Sequence, residues 1–265
     1  MKNKMKKIIL AYIIIIGFNS CTTNDETSKN DQDVVIDTPV IEENNGIRLL
    51  QSSTTGSNGF TELITFEYNT KGLLNKEIST SNYISGTVDT YEKSFTYNSK
   101  NKEETCKIIF VRKEKGTITN SSTDYYNFTY NSKGLIQEDG RNGVFKYTSD
   151  DNKITYDYYL GSISTHDTNH NLIELDYVDT RYRYSHDSFK NPLITTHTQS
   201  YLRYKDIGNN NIKSSTQEMP YNSNSQTITN FYNYEYNNNN FPIKCKNENS
   251  KGVITSTTIY TYNKW

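Results

Sequence analysis

The stretch FTYNSKGLI, residues 128–136, decides the fold because its pattern recurs along the chain. Two aromatic residues separated by one polar residue are followed by a polar turn and then by a short apolar run. The spacing of two places both aromatic rings on one face of a β-strand. Asn and Gly supply the backbone conformations that a tight hairpin turn needs. The aromatic pairs are Phe66 and Tyr68, Phe95 and Tyr97, Phe128 and Tyr130, Phe145 and Tyr147, Tyr182 and Tyr184, Tyr234 and Tyr236, and Tyr260 and Tyr262.

The repeated unit predicts an all-β fold. Each copy is typical of a hairpin whose aromatic pair faces the core, and apolar restarts follow at Gly134-Leu135-Ile136 and Pro192-Leu193-Ile194. Turns at the opposite end of the strands are marked by Ser85-Gly86, Lys115-Gly116 and Lys251-Gly252. We expect a long antiparallel up-and-down meander of tyrosine-rich hairpins with roughly 12–16 strands, bent into a strongly curved sheet or open barrel. No segment after Asn45 shows a capped helical pattern.

The first twenty residues have the layout of a signal peptide. Lys2, Lys4, Lys6 and Lys7 precede an apolar run from Ile8 to Phe18, which is too short to cross a bilayer, since a spanning helix needs roughly 20 apolar residues. The segment Phe18-Asn19-Ser20-Cys21 resembles the lipobox of bacterial lipoproteins. The resemblance implies cleavage before Cys21 and acylation of Cys21, which would anchor the protein in a membrane.

Residues 21–46 are interpreted as the lipidated cysteine and a disordered acidic tether. Between Thr22 and Asn45, seven acidic residues stand against the single base Lys29, and such a composition cannot bury a core. Acidic residues close behind Cys21 resemble an export signal for the outer membrane. The expected product is an outer-membrane lipoprotein, facing the periplasm or exposed on the cell surface, with residues 47–265 as a single β-repeat domain.

The charge balance argues against nucleic-acid binding. Removal of residues 1–20 takes away four lysines and leaves 25 basic residues against 30 acidic ones. A mildly acidic chain without a basic face does not attract a phosphate backbone.

The pattern Phe/Tyr-x-Tyr-Asn-x-x-Gly-Leu resembles the YD repeats of RHS-type proteins. It also resembles small Gram-negative lipoproteins of unknown function that repeat this unit in a curved, porin-like antiparallel sheet. The segment Asp187-Ser-Phe-Lys-Asn191-Pro192-Leu193 is similar to an element that recurs in those lipoproteins. The resemblance covers about residues 47–265 and implies a structural repeat rather than a particular chemistry.

Two cysteines, Cys106 and Cys245, each lie nine residues after the second aromatic of a repeat and so share one phase. In an oxidising compartment they could form a disulfide, which would require early and late strands to meet. The alternative is two buried free thiols that behave as small apolar residues.

Signatures of catalysis, metal binding and cofactor binding are not visible. His166 and His170 flank Asp167 in a turn-rich segment, but a strand or loop does not bring residues four apart together as a zinc-binding helix does. We expect no metal and no cofactor. Carboxylates brought together only by folding leave no local signature, so a hydrolase with a non-local site stays an alternative.

The composition is unusual in its 23 tyrosines. An exposed tyrosine can stack on a sugar or peptide and can also form a hydrogen bond. Adjacent residues in a strand point to opposite faces, so we expect one tyrosine of each adjacent pair, Tyr125 and Tyr126 or Tyr158 and Tyr159, to be presented for stacking. The sequence favours a non-enzymatic binding protein for a glycan, peptide or small apolar ligand. A structural or assembly partner of another envelope protein is the other non-enzymatic alternative.

Overall fold

The computed structural model describes residues 46–141, 143–148, 153–156, 162–177, 179–219 and 227–264. They form seventeen strands, one 3-10 helix and one short α-helix, α1. The strands are β1 Ile47–Gly56, β2 Thr61–Tyr68, β3 Leu74–Asn82, β4 Thr87–Tyr97, β5 Glu103–Glu114, β6 Thr117–Asn127, β7 Thr129–Tyr130, β8 Ile136–Glu138, β9 Phe145–Tyr147, β10 Lys153–Tyr156, β11 Ser162–His166, β12 Leu172–Asp176, β13 Arg181–Lys190, β14 Asn210–Glu218, β15 Thr227–Tyr236, β16 Pro242–Asn249 and β17 Ile254–Lys264. The 3-10 helix spans Pro192–Thr195, and α1 spans Gln199–Tyr204.

Fifteen strands form one antiparallel sheet, in the order β6-β5-β4-β3-β2-β1-β17-β16-β15-β14-β13-β12-β11-β10-β9. Within this sheet, strands that are consecutive in the chain are neighbours, and the first strand, β1, also pairs with the last, β17. The predicted antiparallel meander is therefore confirmed. The sheet is not closed, because among the described residues its edge strands β6 and β9 do not pair with each other. The hairpin of β7 and β8 lies outside this sheet and contacts the β9 side through one bridge, Glu138 to Val144.

The asparagine of the repeat builds the turn that follows the aromatic pair. The Asn69 side-chain oxygen accepts hydrogen bonds from the backbone N–H groups of Lys71, at 2.9 Å, and Leu73, at 3.1 Å. Between these residues Gly72 has a φ of 75°, a conformation that glycine adopts without steric cost. The same pair of side-chain bonds recurs at Asn98, Asn131, Asp167, Asn237 and Asn249.

The second aromatic of the repeat is tyrosine because its hydroxyl satisfies a backbone carbonyl. The Tyr97 hydroxyl in β4 donates to the Leu74 carbonyl in β3 at 2.8 Å. Neighbouring register irregularities interrupt the strand ladder at these places, and a phenylalanine could not supply the donor. Equivalent bonds run from Tyr68 to Leu49, Tyr130 to Glu103, Tyr147 to Ile136 and Tyr262 to Pro242. In β15 the first aromatic, Tyr234, donates to the Ile212 carbonyl instead, and the second, Tyr236, donates to the Asp187 carboxylate.

The first aromatic of the repeat packs around α1. Phe95, Phe128 and Phe145 are buried and meet the rings of Tyr201 and Tyr204 edge-on, with centroids 5.1 to 5.7 Å apart. Strands β1 to β5 and β8 to β10 contribute to the same apolar cluster. So many strands reach one six-residue helix only if the sheet curves strongly around it. We call the side that faces α1 the concave face.

Two local expectations were wrong. Tyr182 and Tyr184 lie inside β13 and are not followed by a turn, because the strand continues to Lys190. Pro192-Leu193-Ile194 forms a 3-10 helix instead of a strand restart, since the Asn191 side chain caps it by accepting the Leu193 N–H. In the described part of the chain, neither helix is long and apolar enough to span a membrane.

Candidate functional site: the concave face

A buried carboxylate fixes α1 in place below the concave face. The Glu103 side chain is fully buried and accepts hydrogen bonds from the Thr198 N–H at 3.1 Å and the Thr198 hydroxyl at 2.5 Å. Thr198 is the N-cap residue of α1. An anion at this place complements the unpaired N–H groups of the helix start. Glu103 therefore ties the helix to the sheet strand β5.

Alternate residues of β4 continue up the concave face from the aromatic pair. Phe95 and Lys93 are separated by two, and Tyr91 and Asp89 follow on the same face. Lys93 forms an ion pair with Glu77 of the adjacent strand, with an N–O distance of 2.6 Å. Burial raises the pKa of Glu77, but the charges of Lys93, His197 and Lys205, together with the hydrogen bond from Lys93, outweigh burial and hold this pKa below its usual value.

Lys205 follows α1 and projects into the same region. Its Nζ lies 4.3 Å from the ring centroid of Tyr204, 5.9 Å from that of Tyr201 and 6.0 Å from that of Tyr126. Burial, aided by the charge of Lys93, lowers the pKa of Lys205 to about 8. We call Lys93, Glu77 and Lys205, with these three rings, the floor of the concave face.

Above the floor, the concave face is more open. Tyr91 is 41% exposed, and its ring lies against that of Phe110, with centroids 4.7 Å apart. Beside them, Arg112 donates two hydrogen bonds of 2.7 Å to the carboxylate of Asp89. Glu62 accepts bonds from the hydroxyls of Ser79 and Ser81. We call Glu62, Asp89, Tyr91, Phe110 and Arg112 the upper wall.

A second polar groove lies beside β13, with a volume of about 340 Å³. Asp167, Asp187 and His186 line it together with asparagine and serine side chains. Hydrogen bonds engage both carboxylates, Asp167 with its own turn and Asp187 with the Phe189 N–H and the Tyr236 hydroxyl. Desolvation lowers the pKa of His186, although both carboxylates oppose this shift. Desolvation raises the pKa of Asp167, but bonds from Asn171 and backbone amides bring it below its usual value.

The adjacent tyrosines of β6 point to opposite faces, as their spacing requires. Tyr125 is 63% exposed on the convex face, where the Lys107 ammonium lies 5.8 Å from its ring centroid. Tyr126 is partly buried on the concave face and contributes to the floor. Ligand stacking by either stays a prediction. Tyr158, Tyr159 and the lipidation site Cys21 lie outside the described residues.

Cys106 and Cys245 are free and buried. They lie on β5 and β16, with five strands of the sheet between them, whereas a disulfide needs Cα atoms within about 7 Å of each other. The early and late halves of the sheet do meet, but through β1 and β17, which leaves these two strands apart. Burial raises the pKa of Cys106 to about 12 and that of Cys245 to about 11, so both thiols stay protonated near neutral pH.

The histidines occupy separate places in the fold. His166 is buried, with its Nε2 3.0 Å from a carboxylate oxygen of Asp206, while His170 takes the positive-φ position of the Asp167 turn. His197 stacks on Tyr201. In the part of the chain that the structure describes, no group of three or more histidine, cysteine or acidic residues could hold a metal ion.

Sequence reasoning missed Tyr91, Lys93 and Lys205. The signal for the first two is present, because the period of two that joins Tyr97 to Phe95 continues to Lys93 and Tyr91. Lys205 follows a six-residue helix, which is too short to show an apolar period. The Thr198 cap alone could have indicated that helix.

Comparison with known proteins gives no family for this chain. No family model and no curated protein matches the sequence. Among solved structures, a porin-like protein from Bacteroides uniformis ATCC 8492 is 16% identical, with a TM-score of 0.42 over 82% of this chain and 98% of that one. A porin-like protein from Bacteroides vulgatus ATCC 8482 is 11% identical, with a TM-score of 0.46 over 82% of this chain and 99% of that one. Both are described as porin-like, and no family membership follows from similarity at this level.

Proposed function

We propose that this protein is a non-enzymatic binding protein of the bacterial envelope that holds a glycan against the upper wall of its concave face. The observation that carries the proposal is the ring of Tyr91, which is 41% exposed on that face although its strand neighbours Phe95 and Tyr97 serve the core. An aromatic ring left open inside a curved sheet offers a flat apolar surface to a ligand.

The surroundings of Tyr91 favour a sugar over a purely apolar ligand. Phe110 braces the ring from one side, and the charged pair Asp89 and Arg112 lies at the next concave-face position of both strands. A sugar has a C–H face for the ring and hydroxyl groups for the Arg112 guanidinium, whose side chain is 42% exposed, whereas the Asp89 carboxylate is buried and holds Arg112 in place. The combination of one stacking surface with nearby hydrogen-bonding groups suits that chemistry.

The test is glycan binding by matched tyrosine variants. A glycan array would select a ligand, and calorimetry would compare the wild type with Tyr91→Ala and Tyr125→Ala. We expect Tyr91→Ala to weaken binding at least about tenfold, because stacking contributes about 1.4 kcal/mol or more at such a site. Tyr125→Ala removes the same side chain from the convex face and should bind as the wild type does. Equal affinity of Tyr91→Ala and wild type would contradict the proposal.

The envelope location rests on the N-terminal segment, and it has its own test. Cys21→Ser removes the sulfur that would carry the lipid, so we expect the variant to leave the membrane fraction. Cys106→Ser is the matched control, because Cys106 is buried in the sheet and its loss does not affect acylation. Unchanged membrane association of Cys21→Ser would contradict lipid anchoring.

A second candidate function, partner of another envelope protein, is favoured by edge strand β6. This strand runs for eleven residues, almost all of them exposed, and within the described residues it pairs only with β5. Asp139 and Arg141 contact its C-terminal end, at Asn127 and Asp124, so the uncovered edge is the part that precedes Asp124. An uncovered edge offers unpaired backbone groups to a strand of another protein. A photo-crosslinking residue at Ser121 in β6 should then give a discrete product in cells. The same residue at Ser53, in the middle of the sheet, is the control, and the absence of any product from Ser121 would contradict this candidate.

A further inference from the structure

Lys205 is a cation held among aromatic rings rather than beside an acid. Its Nζ lies within 6.0 Å of the centroids of Tyr126, Tyr201 and Tyr204. It donates a hydrogen bond of 3.4 Å to the Tyr204 hydroxyl. The rings stabilise a positive charge, but they do not neutralise it.

The carboxylates near Lys205 are already engaged. Glu77 is paired with Lys93 at 2.6 Å, and Asp139 accepts the Tyr204 hydroxyl at 2.7 Å. Across the described ranges of the chain, no carboxylate lies within ion-pair distance of the Lys205 ammonium. A charge withdrawn from water without a counter-charge is costly, and the lowered pKa of Lys205 reflects that cost.

Lys205 also lies on the same side of the sheet as a second cation, Lys93. The ring of Phe95, two residues from Lys93 on the same face of β4, is 5.6 Å from the ring of Tyr201, and the Lys205 Nζ lies 5.9 Å from that Tyr201 ring. Along β4, Tyr91 is two residues from Lys93, a distance of about 7 Å. That distance is comparable to the length of one sugar unit.

We propose that Lys205, supported by Lys93, binds the carboxylate of an acidic sugar, so that the ligand class of the concave face is a uronic-acid-containing glycan. The inference rests on the proposed glycan-binding function and names the class of glycan that is bound. A ligand carboxylate supplies the counter-charge that the floor lacks, through hydrogen bonds in which both partners are charged. The sugar ring that carries it then lies against Tyr91.

The test uses two forms of one sugar with the full-length protein in detergent. Tri-galacturonate and its methyl ester have the same rings, but only the former is charged. We expect the acid to bind about 10- to 100-fold more tightly than the ester, and we expect Lys205→Met to abolish this preference. Lys205→Arg should retain it. Lys107→Met is the matched control, because Lys107 lies over Tyr125 on the convex face.

The outcomes separate this inference from the proposed function. Equal binding of acid and ester, both dependent on Tyr91, would overturn the carboxylate site and leave the proposed function intact. A preference for the acid that depends on Lys205 but not on Tyr91 would support the carboxylate site and contradict stacking. A preference that survives in Lys205→Met, or binding of neither form, would overturn the inference.

Discussion

The lower half of the concave face, which comprises the floor and the aromatic rings around α1, differs from the upper half, which is the upper wall. The same strands form both halves. In β4, Phe95 and Tyr97 belong to the lower half, where one packs on α1 and the other bonds to a carbonyl of β3. Tyr91 and Asp89, a few residues away on the same face, belong to the upper half. There Tyr91 is exposed and Asp89 is paired with Arg112.

The difference teaches that a tyrosine in this chain has one of two roles, which its place in the repeat decides. Most tyrosines at the second aromatic position donate a hydrogen bond to a backbone carbonyl of another strand. A tyrosine outside the repeat, such as Tyr91, has no such carbonyl partner among the described residues. The repeat therefore holds the sheet together, and the residues beyond it are available to a ligand.

The largest expected effect is the unfolding of the protein at alkaline pH, which tests whether the tyrosines of the lower half are buried. Burial raises the pKa of Tyr68, Tyr97 and Tyr234 well above the usual value of 10. Because the unfolded chain ionises its tyrosines near pH 10, their contribution to stability is present below that pH and is lost as the pH rises above it. We expect cooperative unfolding above pH 10, measured by circular dichroism together with tyrosinate absorbance.

The change in stability with pH that Lys205 contributes has the opposite sign and occurs at a slightly lower pH. Its pKa is about 8 in the folded protein, below the value near 10.4 of an unfolded lysine, so its contribution to stability increases between these values. Lys205→Met should remove that increase without preventing alkaline unfolding.

The tyrosine prediction has its own contradicting outcome. Tyrosines that ionise before the circular dichroism changes would show that the lower half is open to water, and the two halves would then not differ in burial.

Removal of a ring from the lower half should have the largest effect of any single substitution. Phe95→Ala leaves a cavity beside Tyr201 and is expected to destabilise the protein by about 3–5 kcal/mol. Urea denaturation measures this cost. Thr96→Ala, the next residue on the convex face, is the control and should change stability by less than about 1 kcal/mol, because it loses only an exposed cross-strand hydrogen bond to Thr105. Similar losses in both variants would contradict the assignment of faces.

Loss of the charge that fixes α1 should come next in size. Glu103→Gln keeps the shape of the side chain but removes the anion that accepts two bonds from Thr198. A hydrogen bond to a charged group contributes about 1.5–3 kcal/mol, so we expect a loss of that order in urea denaturation. Glu104→Gln, on the adjacent exposed position of β5, is the control. An unchanged midpoint for Glu103→Gln would mean that α1 is held by its rings alone.

Loss of a single tyrosine hydroxyl should be smaller. Tyr97→Phe keeps the ring but leaves the Leu74 carbonyl without its donor, at a cost of about 1–3 kcal/mol. Tyr125→Phe is the matched control, because its ring is on the exposed convex face. A cost near zero for Tyr97→Phe in the same denaturation assay would show that water replaces the hydroxyl.

The sequence predicts the lower half well because the lower half is the repeat. The period of two fixes the face of Phe66, Phe95 and Phe128, and the asparagine that follows fixes the turn. The pairing of β1 with β17 leaves no local pattern, since it joins residues at opposite ends of the domain. Asp167 is a further member of the turn series, but Ser164 and His166 replace its aromatic pair and conceal it.

The upper half was not recognised because its chemistry comes from residues on different strands. Asp89 and Arg112 are 23 positions apart in the chain and meet only through the register of β4 and β5. Lys205 reaches the floor only because Glu103 and the Asn191 cap place two short helices inside the sheet. The pattern of one sequence shows periodicity only within one helix or strand. These contacts join three separate parts of the chain, so no such pattern predicts them.

The smallest expected effect is the one that separates the two halves most directly. Tyr91→Ala removes an aromatic ring of the same type as Tyr97, from the same face of the same strand, yet it should lower the free energy of unfolding by less than about 1 kcal/mol. The reason is that this ring is open to solvent and its removal forfeits mainly the contact with Phe110. Urea denaturation of Tyr91→Ala beside Phe95→Ala measures the contrast. A loss as large as that of Phe95→Ala would mean that the upper wall is core, and Tyr91 would then be unsuited to a ligand. A small loss of stability combined with weaker glycan binding would mean that Phe95 stabilises the fold whereas Tyr91 binds the ligand. The change of role along β4 would then lie at Lys93, between these two residues.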